Sequence, residues 1–73
     1  MFGLFSFGNH FYTLTATGLN FRTHRYNNRE EATQAMYDIM SRKSLDLKEV
    51  YDDKHYKTYV CSDNVRFYIN REF

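Results

Sequence analysis

The chain predicts an α+β fold, a single helix packed on one face of an antiparallel sheet, with elements in the order β-β-α-β-β-β. Three observations carry this prediction. A capped amphipathic segment lies mid-chain, runs dense in aromatic and β-branched residues flank it on both sides, and clusters of Gly, Asp, Asn and Ser separate those runs. The 73 residues contain no proline, repeat or low-complexity stretch, so 1–73 reads as one small domain without a linker.

The helix is the clearest element. From Arg29 to Lys43 the apolar residues Ala32, Ala35, Met36, Ile39 and Met40 recur at helical spacing, while Arg29, Glu30, Gln34, Asp38 and Ser41 lie off that stripe. Asn28 is the expected N-cap, because its side-chain oxygen can take up a backbone N–H left unpaired in the first turn. Glu31, three residues on, completes a capping-box pattern. Glu30 and Glu31 suit the positive start of the helix, and Arg42 and Lys43 its negative end.

Strands are expected on either side. "FYTLTAT" (Phe11 to Thr17) and Leu19 to Tyr26 form two alternating runs broken at Gly18, which predicts an antiparallel hairpin with a turn or bulge there. After the helix, "LKEVY", "HYKTYVC" and "VRFYIN" are separated by Asp52-Asp53-Lys54 and Ser62-Asp63-Asn64, giving three short strands.

Strand parity sorts the side chains into two faces. Val65, Phe67 and Ile69, with Leu19 and Phe21, are expected to pack against the helix; Arg66, Tyr68 and Asn70 point away. Asn20, Arg22, His24 and Tyr26 group together, as do His55, Lys57, Tyr59 and Cys61, although Tyr56 and Val60 compete for the face of that strand. One sheet face is thereby rich in Tyr, Arg, Lys and His. Such a face suits a protein interface, where Tyr and Arg become hot spots, or single-stranded nucleic acid, with tyrosines stacking bases and Arg and Lys holding phosphates. It is equally the makeup of a solvated face whose tyrosines shield backbone hydrogen bonds.

The segment "MFGLFSFGN" brings Phe2, Leu4, Phe5 and Phe7 together, with Gly3 and Gly8 working against a stable helix. Residues 1–9 are therefore expected to cover a surface, as an edge strand closing the domain's own core or as an apolar arm that reaches a second subunit or a target. Tyr37, off the apolar stripe of the helix, extends a surface beside Met40. The candidate partner-binding residues are Phe2, Phe5, Phe7, Arg22, Tyr37, Tyr59, Arg66 and Tyr68.

Bulk properties limit the function. A chain this short buries only about 60% of its unfolded surface, so its core is thin and homodimerisation is a natural remedy. Ten Lys and Arg against nine Asp and Glu exclude an acidic DNA mimic and a strongly basic nucleic-acid coat. Cys61, the one cysteine, allows no intrachain disulfide, which favours a reducing cytoplasm. No apolar run approaches the ~20 residues of a membrane helix, and the first residues lack a secretory-signal pattern, so no membrane association and retention of the opening segment are expected.

Catalytic and cofactor patterns are weak. Cys61 and His55 share one predicted strand at a separation of roughly 20 Å, too far for a thiolate–imidazole pair, whereas Cys61 with His24 stays possible across strands. His10, His24 and His55 have no metal-ligand spacing, Asp52-Asp53 reads as a turn, and no glycine-rich phosphate loop accompanies them. No enzymatic activity, cofactor or metal is expected.

The compact, Tyr- and Asn-rich chain, with "YDDKHYKTYVC" and "VRFYINREF" crowded after one capped helix, resembles in style the small accessory proteins of bacteriophages, including anti-CRISPR inhibitors of bacterial defence. The resemblance implies a protein that occupies a site on a larger host protein, often as a dimer; it carries no diagnostic motif and assigns no residue. The expected function is a protein-interaction module, an inhibitor acting by steric occlusion, with weak single-stranded nucleic-acid binding through the Tyr/Arg face as the alternative.

Overall fold

The computed structural model describes residues 11–53 and 55–72. Phe2, Phe5 and Phe7 of the opening segment lie outside the described residues. The elements are β1 (Phe11–Thr17), β2 (His24–Tyr26), α1 (Arg29–Lys43), β3 (Leu47–Asp52), β4 (Tyr56–Cys61) and β5 (Arg66–Glu72). The five strands make one antiparallel sheet in the spatial order β2-β1-β5-β4-β3, so the last strand in sequence is central and, among the described residues, β2 and β3 are the edges. This is the α+β class expected.

Helix α1 forms as its caps dictate. Asn28 is extended and its Oδ1 accepts the Glu31 N–H at 2.8 Å. At the other end Ser44 turns left-handed (φ 56°, ψ 44°), and the Leu45 N–H donates to the Met40 carbonyl at 2.9 Å. The helix buries Ala32, Met36, Ile39 and Met40 against β1, β5 and β2.

The core follows from register. Leu14 pairs with Ile69, Ala16 with Phe67 and Tyr59 with Phe67, which puts Leu14, Phe67, Ile69 and Tyr59 on the helix side with Cys61 and Val65. Fully burying residues such as Leu14 and Phe67 contributes roughly 2 kcal/mol each, and in a domain this small those few side chains carry much of the stability.

Three expectations are corrected. The second strand is three residues long, not eight, because residues 19–23 form a loop from which Leu19 and Phe21 still reach the core. His24 and Tyr26, paired with Leu14 and Tyr12, point to the helix side, and Arg22 lies in the loop, so these residues do not extend the Tyr/Arg face. Tyr59 is only 4% exposed: the pairing of Val50, Tyr59 and Phe67 across three strands turns its ring into the core.

Candidate protein interface

The helix covers only part of the sheet. It lies over β2, β1 and β5, and β3, beyond β4, has every residue from Leu47 to Asp52 exposed. Among the described residues, four of the five exposed large apolar or aromatic side chains, Leu47, Val50, Tyr51 and Tyr56, sit on this β3–β4 wing. Clustering of this kind marks an interaction surface more than scattered exposure does.

The wing is held firmly where it joins the domain. The Asp46 N–H donates to Ser62 Oγ at 3.0 Å and the Ser62 N–H returns a bond to the Asp46 carbonyl at 2.9 Å. Ser62 opens the turn between β4 and β5, where Asp63 and Asn64 adopt positive φ, a conformation their short polar side chains tolerate. At the far end the Asp53 N–H donates to the Tyr56 carbonyl at 2.9 Å.

A bulge decides what the wing presents. Leu47 pairs with Cys61 but Glu49 pairs with Val60, so Lys48 is an extra residue. Without it, Leu47 would share a face with Glu49 and Tyr51. With it, Leu47 joins Val50 on the helix side, opposite Cys61 and Tyr59, and extends the apolar core surface to the sheet edge. The other face carries Glu49, Tyr51, Asp53 and Tyr56.

Polar groups order that second face. The Tyr51 hydroxyl donates to Glu49 Oε1 at 2.6 Å, and the bond together with the carboxylate charge holds the phenol above its ordinary titration range. A hydrogen bond with Asp53 does the same for Tyr56. On the helix side Lys57 Nζ lies 3.7 Å from Asp52 Oδ2, a pair with a half-buried lysine, an exposed carboxylate and small energetic weight, and 5.8 Å from the Tyr59 ring.

The candidate residues read from sequence are dispersed. Arg66 and Tyr68 lie on the sheet face away from the helix, Tyr68 half-buried between Thr15 and Thr58. Arg22 is exposed in the loop before β2 and Tyr37 on the outer side of α1, while Met40, its expected neighbour, is buried. The open face also holds Arg25, stacked 4.1 Å over the Phe11 ring, but Arg25 and Arg66 share it with the carboxylates of Glu49, Asp53 and Glu72, so it is not a uniformly basic surface of the kind that holds phosphates. Leu47, Val50, Tyr51 and Tyr56 were not among the sequence candidates, since neither the strand order nor the bulge is written in local periodicity.

Two further features bear on chemistry. Cys61 is a free, buried thiol whose burial raises its pKa, and β1 and β5 stand between its strand and that of His24, a separation of about 14 Å at ordinary strand spacing. The cross-strand pair is thereby ruled out. A cavity of about 310 Å³ beside the helix is lined by Leu19, Phe21, His24, Tyr26, Ile39 and Arg42, with Lys43 and the carboxylate of Asp38 also at its wall. Among the described residues no three His, Cys, Asp or Glu side chains gather to hold a metal ion, and no helix is long and apolar enough to cross a membrane. Comparison with family models, curated proteins and solved structures finds no match to the chain.

Proposed function

We propose that this chain is a non-enzymatic protein-interaction module that binds through the β3–β4 wing, and that it acts as an inhibitor by covering the working surface of a larger host protein. One observation carries the proposal: among the described residues β3 is a six-residue edge strand, proline-free and exposed along its length, and it and β4 carry four exposed apolar or aromatic side chains. Such an edge offers unpaired backbone N–H and C=O groups to an incoming strand, and the adjacent side chains give that pairing specificity. The resemblance to phage anti-defence proteins supports a host target, and a single buried thiol supports a reducing, cytoplasmic setting.

The test is capture of partners by tagged wild-type protein and by Val50→Lys, each with and without nuclease. The proposal expects a stoichiometric protein that survives nuclease and is lost with Val50→Lys. Recovery that depends on nucleic acid, and that weakens with Arg66→Ala instead, would replace it with the open-face nucleic-acid reading.

A further inference from the structure

We infer that the occupant of the β3 edge is a second copy of this chain, joined antiparallel about a two-fold axis at Val50 to form a continuous ten-stranded sheet. This rests on the reading of β3 as the interaction edge: with the edge taken by a second copy, a larger host protein is met by the exposed side chains of the paired wings, Tyr51 and Tyr56 among them, and not by strand addition.

Backbone polarity sets the first condition. The Asp53 N–H bonds to the Tyr56 carbonyl, and antiparallel hydrogen bonding alternates, so Glu49 and Tyr51 direct their backbone groups toward β4. Val50 and Asp52 therefore direct theirs outward. A symmetric pair must bring outward-facing residues opposite one another, which admits registers centred on Glu49, Val50, Tyr51 or Asp52 but no one-residue slip between them.

Charge selects among these. Centring on Glu49 sets Glu49 against Glu49 of the other copy, and centring on Asp52 sets Asp52 against Asp52, both like-charge pairs. Centring on Tyr51 leaves Lys48 without an opposite charge. Centring on Val50 pairs Val50 with itself and Glu49 with Tyr51 on the other face, and brings the bulged Lys48 within reach of Asp52 on both sides of the axis. Because Tyr51 already donates to Glu49 within one chain, the two copies bring two phenols and two carboxylates together across the axis. On the helix side the exposed Val50 side chains meet and join two apolar ledges that each run back through Leu47 to the core.

The same residues bias the edge against strands of a different charge order. A lysine, a bulge and acidic side chains are the devices that protect an edge strand from unwanted pairing. Here they match only a strand with the complementary order, which the antiparallel second copy supplies. The two-fold favours closure at a dimer, since β2, the other edge among the described residues, has only three residues.

The experiment is sedimentation velocity on the full chain from micromolar to millimolar, with charge and cysteine variants. Lys48→Glu and Asp52→Lys, both at exposed positions, should each weaken the dimer by about tenfold or more, and the double variant should restore it to within about threefold of wild type. Under mild oxidation Val50→Cys should cross-link to itself, because residues in a hydrogen-bonded antiparallel pair lie about 5.5 Å apart, within disulfide range. Asp52→Cys should not, its copies being four residues out of register. A wild-type chain that stays monomeric, a double charge variant no tighter than the singles, or Asp52→Cys linking as fast as Val50→Cys overturns the inference. A monomer that still loses a captured, nuclease-resistant protein on Val50→Lys overturns self-pairing alone and leaves the edge as the site for a different strand.

Discussion

Gly18 lies directly beneath the carbonyl oxygen of Asn64: a Cβ built at Gly18 would stand 2.4 Å from that oxygen, and Gly18 itself has φ +88°. The glycine is demanded twice, by backbone conformation and by the approach of the β4–β5 turn. Gly18→Ala is expected to destabilise the domain by about 1–3 kcal/mol, read as a lower urea midpoint with an unchanged slope. An unchanged midpoint would show that the loop after β1 does not need this contact.

Phe67 is fully buried on the central strand, between Ala16 of β1 and Tyr59 of β4, with its ring edge-to-face to Phe21 at 6.4 Å. Phe67→Ala removes about 3–5 kcal/mol, while a chain of this length holds roughly 4–11 kcal/mol in all. The variant is expected to lose cooperative unfolding, or to unfold well below the wild-type temperature, in circular dichroism melts. Phe67→Leu should retain a single transition.

The elements that sequence made legible are those with strong local signals. Asn28 marked the start of the helix, Arg42 and Lys43 its end and the Ala32–Met40 stripe its buried side, and the alternation in "FYTLTAT" and "VRFYIN" marked two strands, with Val65, Phe67 and Ile69 of the second run packed in the core as expected. What stayed illegible depends on long-range pairing. Leu19 and Phe21 have the side chains of a strand, yet they reach the core from a loop, because packing and not backbone pairing satisfies them. Tyr59 could have faced either way by its own strand's pattern, and only its position between Val50 and Phe67 decides. The wing escaped notice for a related reason: "LKEVYD" shows no clean alternation once Lys48 bulges out, and its place at the edge follows from β5 taking the centre.

Cys61 supplies a test of core integrity. Burial raises its thiol pKa, so the folded state keeps a proton that the unfolded chain gives up at its ordinary thiol pKa. The resulting stability is fully present below that ordinary value and is lost as pH rises through the raised folded value. Native protein at neutral pH should therefore react with iodoacetamide at least about tenfold more slowly than urea-unfolded protein. Equal rates would mean that the end of β4 opens freely.

Loss of the helix cap should register as a modest, separable effect. Asn28→Ala leaves the Glu31 N–H without its partner at 2.8 Å, at an expected cost of about 1 kcal/mol. Asn28→Asp, which keeps an acceptor and adds negative charge at the positive helix end, should hold wild-type stability in urea denaturation. A loss as large for Asp as for Ala would point to a role of the amide beyond capping.

Tyr51 reports on the wing itself. Its hydrogen bond to Glu49, followed by the charge of that carboxylate, raises its pKa, so the phenol should ionise later than an ordinary tyrosine in an NMR titration of the ring Cζ carbons. The sign is that of a group favoured in its protonated form when folded: the Tyr51–Glu49 bond supports the folded wing below the ordinary tyrosine pKa and is lost as pH climbs through the raised value. Glu49→Gln removes the charge and should bring Tyr51 down toward ordinary titration while leaving the core signals in place. Tyr56, raised by Asp53 instead, should not move with that substitution. If both tyrosines shift together, the two hydrogen bonds are coupled through the β3–β4 hairpin, and the wing opens as one unit.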